Sequence, residues 1–309
     1  MCVAIPRRVV SNFTMGKGLN QTHPDMNARS LAQKNPFDFD SRVTFDGTDH
    51  AYTVGDRPVK LSVTSVVKAT FPASANFDGR CIAEKNLKKW RQNCSSRYHA
   101  VVVGIEDDEV AISTVLALWK ANRDLGTVCH KAVELYLNGD KDGEDDEKGR
   151  TLVEGHRLAD VDAELDQFVA WHSHKNDLGW KIRRTELALY YQHADGPALV
   201  AGTIDCLYED DTGTTRVVDL KRTDKNLTRD AHNYGKYGTG HAGGLPDTDF
   251  YRYSLQCWLY SIMFEGLVGR PMGTPLLVQV HPDSSAATEV ECADLRAVAS
   301  EVLRSLSDH

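Results

Sequence analysis

Three runs of residues follow one another so closely that they commit the chain to a β-meander. They are Trp180 to Tyr191, Ala198 to Tyr208 and Thr214 to Lys221, joined by short turns containing Asp and Gly. Each alternates and is rich in β-branched or aromatic residues, which predicts strands. Connections this short pair neighbouring strands antiparallel. A side-chain period of two puts Val217, Asp219 and Lys221 on one face, with Val218 and Leu220 on the other. In the preceding strand Asp205, within Gly202-Thr-Ile-Asp-Cys206, can then lie beside Asp219, well away from the turn.

The flanking sequence supplies the remaining layers. Arg42 to Val54 alternates around Asp46-Gly47 and reads as a hairpin. Leu61 to Val67 opens a short helix that Ser62 or Thr64 could cap. Residues 80–92 are helical in composition, with Lys85, Lys88, Lys89 and Arg91 forming a basic stripe; such a stripe is usually a solvated face, and phosphate tracking is the minority reading. Residues 109–138 read as helix in one or two pieces, and the acidic run over residues 139–149 as a surface loop. A helix follows over 158–175. After the meander, residues 224–249 are Gly-, Asn- and His-rich and irregular. Phe250 to Leu267 is a helix, Thr274 to His281 a strand and Ala293 to Leu306 a closing helix. The expected fold class is α/β: a central mixed sheet flanked by helices, with a helical N-terminal extension. The expected organisation is a flexible arm over residues 1–40 and one domain over 41–309, comprising a hairpin and helical part 41–108 and a core 109–309.

Several function classes are excluded early. Seven scattered cysteines without a CxxC pair fit reduced thiols, not a disulfide framework, zinc ribbon or iron–sulfur cluster. No apolar run approaches the roughly 18 residues of a membrane span, and no secretory signal is evident. The formal charge is −8. Residues 1–36 run against it, with five basic residues and only Asp25 acidic. That start reads as a disordered arm or, alternatively, an organelle transit segment. An acidic chain grips nucleic acid only through a local basic groove or bound divalent cations.

The pairing of Asp205 and Asp219 bears on such cations. Two close carboxylates raise a pKa unless a cation lies between them. Hard oxygen ligands suit Mg²⁺ or Mn²⁺. Lys221 would then orient a nucleophilic water or stabilise charge building on a phosphate. Three further elements strengthen the pattern. His130 and Glu134, in Gly126-Thr-Val-Cys-His-Lys-Ala-Val-Glu134, share one helix face at i and i+4. Glu186 follows Arg184 in the first meander strand. Gln256 and Tyr260 repeat the i, i+4 spacing on the later helix. An isolated helical His is most often structural, and Asp-x-Lys alone is weak, since Asp146 and Lys148 repeat it in the acidic loop.

In order, GTxxHxxxE, a strand Glu, GxxD, DxK and QxxxY resemble the PD-(D/E)XK nuclease superfamily, with its restriction-endonuclease-like core. Within it they look most like the RecB-type exonuclease branch, which includes stand-alone viral and phage members and the mitochondrial genome maintenance exonuclease. The resemblance covers about residues 42–282 and implies a Mg²⁺- or Mn²⁺-dependent deoxyribonuclease. It implies His130, Asp205, Asp219 and the Leu220 carbonyl as metal ligands, and Glu186 as a ligating acid. Lys221 would be the catalytic lysine, and Gln256 and Tyr260 would position the strand and the active site. Arg183, Arg184, Arg222, Lys225 and Arg229 are candidates for DNA backbone contacts, and Tyr234, Tyr237 and Trp258 for base stacking.

The implied activity is digestion of single-stranded DNA ends in replication, repair or recombination. Without a helicase motor in the chain, unwinding would fall to a helicase or another replication or repair partner. The expected setting is intracellular, without a membrane: cytoplasm, nucleus or mitochondrion, or a virus- or phage-encoded protein in its host. A structure-specific endonuclease and a non-catalytic nucleic-acid-binding module remain alternatives. A third, a histidine-rich metalloenzyme, rests only on His172-Ser-His174, a pattern usually exposed to solvent.

Overall fold

The computed structural model describes residues 30–47, 49, 51–75, 78–139, 152–193, 196–233 and 235–306. Most of the expected arm and nearly all of the acidic loop lie outside the described residues. The chain begins with helix α1 (Leu31–Lys34), strands β1 (Val43–Asp46), β2 (Ala51–Val54), β3 (Arg57–Val59) and β4 (Leu61–Ser62), and helices α2 (Val63–Thr70) and α3 (Pro72–Ala75). Helices α4 (Gly79–Gln92), α5 (His99–Val102) and α6 (Asp108–Asn138) follow, then strands β5 (Leu152–Val153) and β6 (His156–Arg157) and helix α7 (Asp162–Asp177). The meander is β7 (Lys181–Gln192), β8 (Ala198–Glu209) and β9 (Thr215–Arg222). Helix α8 (Asp249–Val268), strands β10 (Leu276–Val280) and β11 (Thr288–Glu291) and helix α9 (Arg296–Ser305) complete the chain.

Two compact units emerge: a smaller one including Asp78–Ala121, and a larger one of Arg29–Phe77 with Asn122–His309. One boundary therefore falls inside α6, not ahead of it at residue 108 as the sequence suggested. Residues 109–138 form one continuous helix. In the smaller unit Asp78 caps α4, and Ala83, Leu87 and Trp90 pack with Val102, Ala111, Ile112 and Val115.

The larger unit is built on a six-stranded mixed sheet. β7, β8 and β9 pair antiparallel, whereas β9 with β10 and β4 with β8 are parallel. Alternation sends successive residues to opposite layers. Val217 and Leu277 join a core with α2, α8 and α9; Val218, Leu220, Leu276 and Val278 join one with α7 and the later part of α6. Each fully buried aliphatic side chain here contributes roughly 1.5–3 kcal/mol. Ser62 caps α2 by accepting from the Ser65 N–H. Among the described residues no helix is long and apolar enough to cross a membrane.

The pairing of β8 sets up the site. β7 runs along one edge for the whole strand. The other edge is shared: β4 pairs with Val200 and Ala201, and β9 with Cys206 to Glu209. Residues 202–205 lie between these two partners. The glycine-rich segment before α8, expected to be irregular, holds a short 3₁₀ turn (Gly240–Ala242) and a Tyr237–Pro246 bridge. It is fastened to α2 by the Thr239 N–H, which donates to the Thr70 carbonyl at 2.8 Å.

Two expectations need correction. The arm was expected to extend to residue 40, but Phe37 and Phe39 stack on each other and meet Phe264 edge-on, and Asp40 pairs with Arg184. The last part of the arm is therefore docked on the larger unit. His172-Ser-His174 is not a solvent-facing pair either. His174 is exposed, but His172 is buried, stacked on Phe168, with Nδ1 2.7 Å from the Tyr208 hydroxyl and Nε2 2.9 Å from Asn176 Nδ2. Both ring nitrogens are engaged, which leaves no lone pair for a metal.

Burial pushes the His172 pKa below its ordinary value near 6.5. The unfolded chain therefore binds the proton more readily than the folded one, and stability is lost as pH falls through 6.5, levelling off below the folded pKa. Urea unfolding between pH 7.5 and 5 should show a smaller acid loss in His172→Asn than in the unsubstituted protein. Equal losses would show that this histidine is not held neutral by the fold.

Candidate active site

The ladder between β8 and β9 ends at the Cys206–Val218 pair. One step further in that register, Asp205 stands opposite Asp219. In place of another rung, the Leu220 N–H donates to Asp205 Oδ2 at 2.9 Å. From α6, His130 brings Nδ1 to 3.4 Å from the same carboxylate oxygen. Across the other edge of β8, the Thr185–Cys206 and Leu187–Ile204 pairs place Glu186 opposite Asp205. Glu186 has φ +44°. A left-handed conformation in a non-glycine residue costs about 1–2 kcal/mol, and such strain concentrates at functional positions.

His130, Glu186 and Asp205 each offer a ligand atom, all within 4.8 Å of one another. With Val133, Glu134, Cys206 and Leu220 they line an opening of about 10 Å³, which is about one water-sized sphere. Two oxygens on one Mg²⁺ lie at most about 4.2 Å apart, twice a bond of roughly 2.1 Å. A slight contraction of this trio would therefore suit Mg²⁺, and Mn²⁺ accepts the same imidazole and carboxylate donors. The sequence reading assigned Asp219 to the ligand set. The structure gathers Glu186, also given as a ligating acid, with His130 and Asp205, and pairs Asp219 with Lys221.

The electrostatics fit a cation at this place. Burial opposes charge on His130, but the neighbouring Asp205 outweighs it and lifts the imidazole to about 9. Burial would raise Asp205, yet His130, Lys221 and the Leu220 N–H hold it below the usual carboxylate range. Glu186 is pushed up, by burial first and then by Asp205. Its side chain lies in a crowded wall yet remains reachable by water, so solvent relieves part of that push.

Asp219 is almost wholly buried, and Lys221 Nζ lies 2.5 Å from its Oδ2 and 4.7 Å from the centre of the Tyr253 ring. Burial, partly offset by Lys221 and reinforced by Asp205, raises the Asp219 pKa. Burial would lower Lys221, but Asp219 and Asp205 hold it above its ordinary value, so the ammonium stays charged. Asp219 Oδ2 accepts no well-directed hydrogen bond; its partner is the lysine charge alone.

Gln256 Nε2 donates to the Tyr260 hydroxyl at 3.2 Å. The Tyr260 ring lies over Gly202, where a Cβ would come within 2.6 Å of Cε1 and 3.0 Å of Val63 Cγ2. Tyr253 escaped sequence reading although it shares a helical face with Gln256 and Tyr260 at i, i+3 and i+7. Tyr52, whose hydroxyl lies 2.9 Å from Thr203 Oγ1, was also missed; a hairpin tyrosine gives no signal of its own. Glu134 lines the opening and pairs with Lys131 at 2.8 Å.

Most of the proposed backbone contacts are committed elsewhere. Arg184 is buried against Asp40 and the Asn35 carbonyl. Arg222 pairs with Glu164 at 2.6 Å, both side chains under a tenth exposed. Arg222 cannot reach a phosphate without abandoning a buried carboxylate, and Arg184 is itself buried with its charge met by Asp40. Arg183 pairs with Glu209, and Lys225 with Asp249 at the surface. Trp258 is a core residue donating to the Ala293 carbonyl. Tyr237 is exposed and Tyr234 lies outside the described residues.

No family model matches the chain, and no curated protein matches it. Among solved structures, a proposed exonuclease from Eubacterium rectale is similar over 60% of this chain and 64% of that one, at 14% identity and a TM-score of 0.39. The structure of SSO0001 is similar over 58% of this chain and 71% of that one, at 13% identity and a TM-score of 0.28. The chain thus spans less than two thirds of the first of these.

Two measurements probe this geometry. Mn²⁺ followed by electron paramagnetic resonance should fill one site, lost in His130→Ala and Asp205→Asn; equal binding by these variants would place the ion elsewhere. Two glycines should respond in opposite directions. Gly202→Ala forces the Tyr260 ring aside and should cost about 1–3 kcal/mol. Gly126→Ala meets nothing within 4 Å and should stabilise α6 by up to about 1 kcal/mol. Thermal unfolding of both would show it, and equal shifts would contradict the assigned packing.

Proposed function

We propose that the chain is a metal-dependent deoxyribonuclease of the PD-(D/E)XK type, close to its RecB-type branch, that digests single-stranded DNA from an end. The observation that carries this reading is the convergence of His130, Glu186 and Asp205 on an opening for one ion, with a permanently charged lysine on the adjoining strand. His130, Glu186 and Asp205 would hold Mg²⁺ or Mn²⁺, with Asp219 and the Leu220 carbonyl available at its margin. When bound, the cation would polarise a phosphate oxygen and acidify a water.

The chain's own groups divide the remaining work. Lys221, its ammonium fixed by Asp219, offers charge to the developing phosphorane oxygens. Glu186, the solvent-facing member of the trio, is placed to orient the attacking water, whose proton passes to solvent. The water oxygen bonds to phosphorus as the bond to the 3′-oxygen breaks, and the departing 3′-oxygen takes up a proton from solvent. Gln256 and Tyr260, braced over Gly202, would position the strand. Such a nuclease would act with a helicase or another replication or repair partner inside a cell, in the nucleus, mitochondrion, cytoplasm or an infected host.

The test is digestion of end-labelled linear single strands beside a closed single-stranded circle, with Mg²⁺ or Mn²⁺ and with EDTA. Loss of the linear strands alone, abolished by EDTA, is expected. Cutting of the circle would make the protein an endonuclease, and inertness towards all DNA and RNA would leave a binding module. Lys221→Ala should lower the rate by about 10²–10³-fold. It also strips a buried carboxylate of its counter-charge, at a cost of about 3–5 kcal/mol. Asp219→Asn combined with Lys221→Gln should recover much of that stability while remaining inactive; recovery of activity would remove Lys221 from the mechanism.

A further inference from the structure

We propose that the exposed face of α4 formed by Lys85, Lys88 and Lys89 is a second contact for the phosphate backbone of a nucleic-acid strand. The proposal deepens the nuclease reading and rests on it for the identity of the ligand. At 100° per residue, Ala83, Leu87 and Trp90 make the buried stripe of α4. Lys85, Lys88, Lys89 and Gln92 lie on the opposite side. With Asn93 they form an open, solvent-exposed face.

Two observations separate this face from an ordinary solvated one. First, its cations have no counter-ions. Arg80 pairs with Glu84 and Glu109, and Arg91 with Asp108, so the unit's carboxylates are drawn to another side of the helix. Lys85, Lys88 and Lys89 form no ion pair among the described residues. Charged helix faces normally intersperse both signs; here three unpaired lysines share one helix face in a chain of net charge −8. Second, the face is held rigidly from beneath. The Trp90 ring packs 4.5 Å from Tyr98 and edge-on to Trp119, and Trp119 Nε1 donates to the Tyr98 hydroxyl at 3.0 Å. Point charges on flexible stems with amide donors beside them suit a repeating phosphate backbone and carry no base specificity.

The test uses the full chain and its Lys85→Gln/Lys88→Gln/Lys89→Gln variant, whose side chains are exposed and support no fold contact. Binding of a fluorescent 30-nucleotide single strand is titrated in EDTA at several salt concentrations. Each phosphate contact on a single strand contributes about 0.7 to the slope of log K against log salt. The variant should lose about 2 from that slope and on the order of 10- to 100-fold in affinity at 0.1 M salt. The ratio of cleavage rates, 30-mer to tetranucleotide, should fall about tenfold. Unchanged slope and affinity would overturn the proposal, as would a parent chain that binds no DNA or RNA. Loss of binding to phosphatidylserine vesicles with DNA binding intact would assign the face to a membrane surface instead. Lysine-dependent binding without any cleavage would overturn the nuclease reading and leave this one standing; cleavage with lysine-independent binding would do the reverse.

Discussion

The hydrogen bond from the Leu220 N–H to the Asp205 carboxylate is the interaction on which the site depends. It sits where the shared edge of β8 changes partner, after β4 has ended at Ala201 and before β9 begins at Cys206. A backbone N–H at the end of a ladder inside a protein needs an acceptor, and leaving one unmet costs about 1–3 kcal/mol. The aspartate supplies that acceptor and so stands in for a missing rung. The same interval accommodates Tyr260 over Gly202 and brings His130 and Glu186 to the same carboxylate from opposite sides of the strand. Asp205 is thus part of the sheet's hydrogen bonding and part of the site at once.

Charge explains why this interval invites a cation. Glu186, Asp205 and Asp219 are three carboxylates, and Lys221 neutralises one of them. With His130 neutral, as a ligand must be, two negative charges remain in a largely buried region. Unpaired buried charge costs several kcal/mol, and without an ion the fold meets that cost by keeping a proton on His130 and raising the pKa of Glu186. A divalent cation removes both needs. The protonated histidine and the perturbed glutamate are therefore two signs of one electrostatic demand.

Much of this was legible in the sequence because it depends on period and order. Strand alternation and short turns specify the meander, and the meander puts Asp205 beside Asp219. Helical spacing joins Gln256 to Tyr260. What sequence could not show depends on distant partners. Arg184 finds Asp40, and Arg222 finds Glu164; nothing local marks those cations as occupied. Glu186 was legible as a ligating acid through the resemblance, but the left-handed backbone it adopts is not something alternation anticipates. His172 was misread for a related reason: a polar helix pattern hides a buried histidine satisfied by Tyr208 and Asn176.

The misplaced arginines carry a physical lesson about division of labour. A site that binds a divalent cation among carboxylates cannot also surround itself with free arginines, because those arginines would compete with the ion for the same oxygens. Arg183, Arg184, Arg222 and Lys225 are tied to carboxylates outside the ligand trio, and Lys221 is fixed by Asp219. Chemistry at one phosphate and grip along many phosphates then make opposite demands on local charge: the first needs a negative pocket that an ion can fill, the second an unpaired positive surface. The proposed division assigns the first to the trio in the larger unit and the second to Lys85, Lys88 and Lys89 in the smaller one.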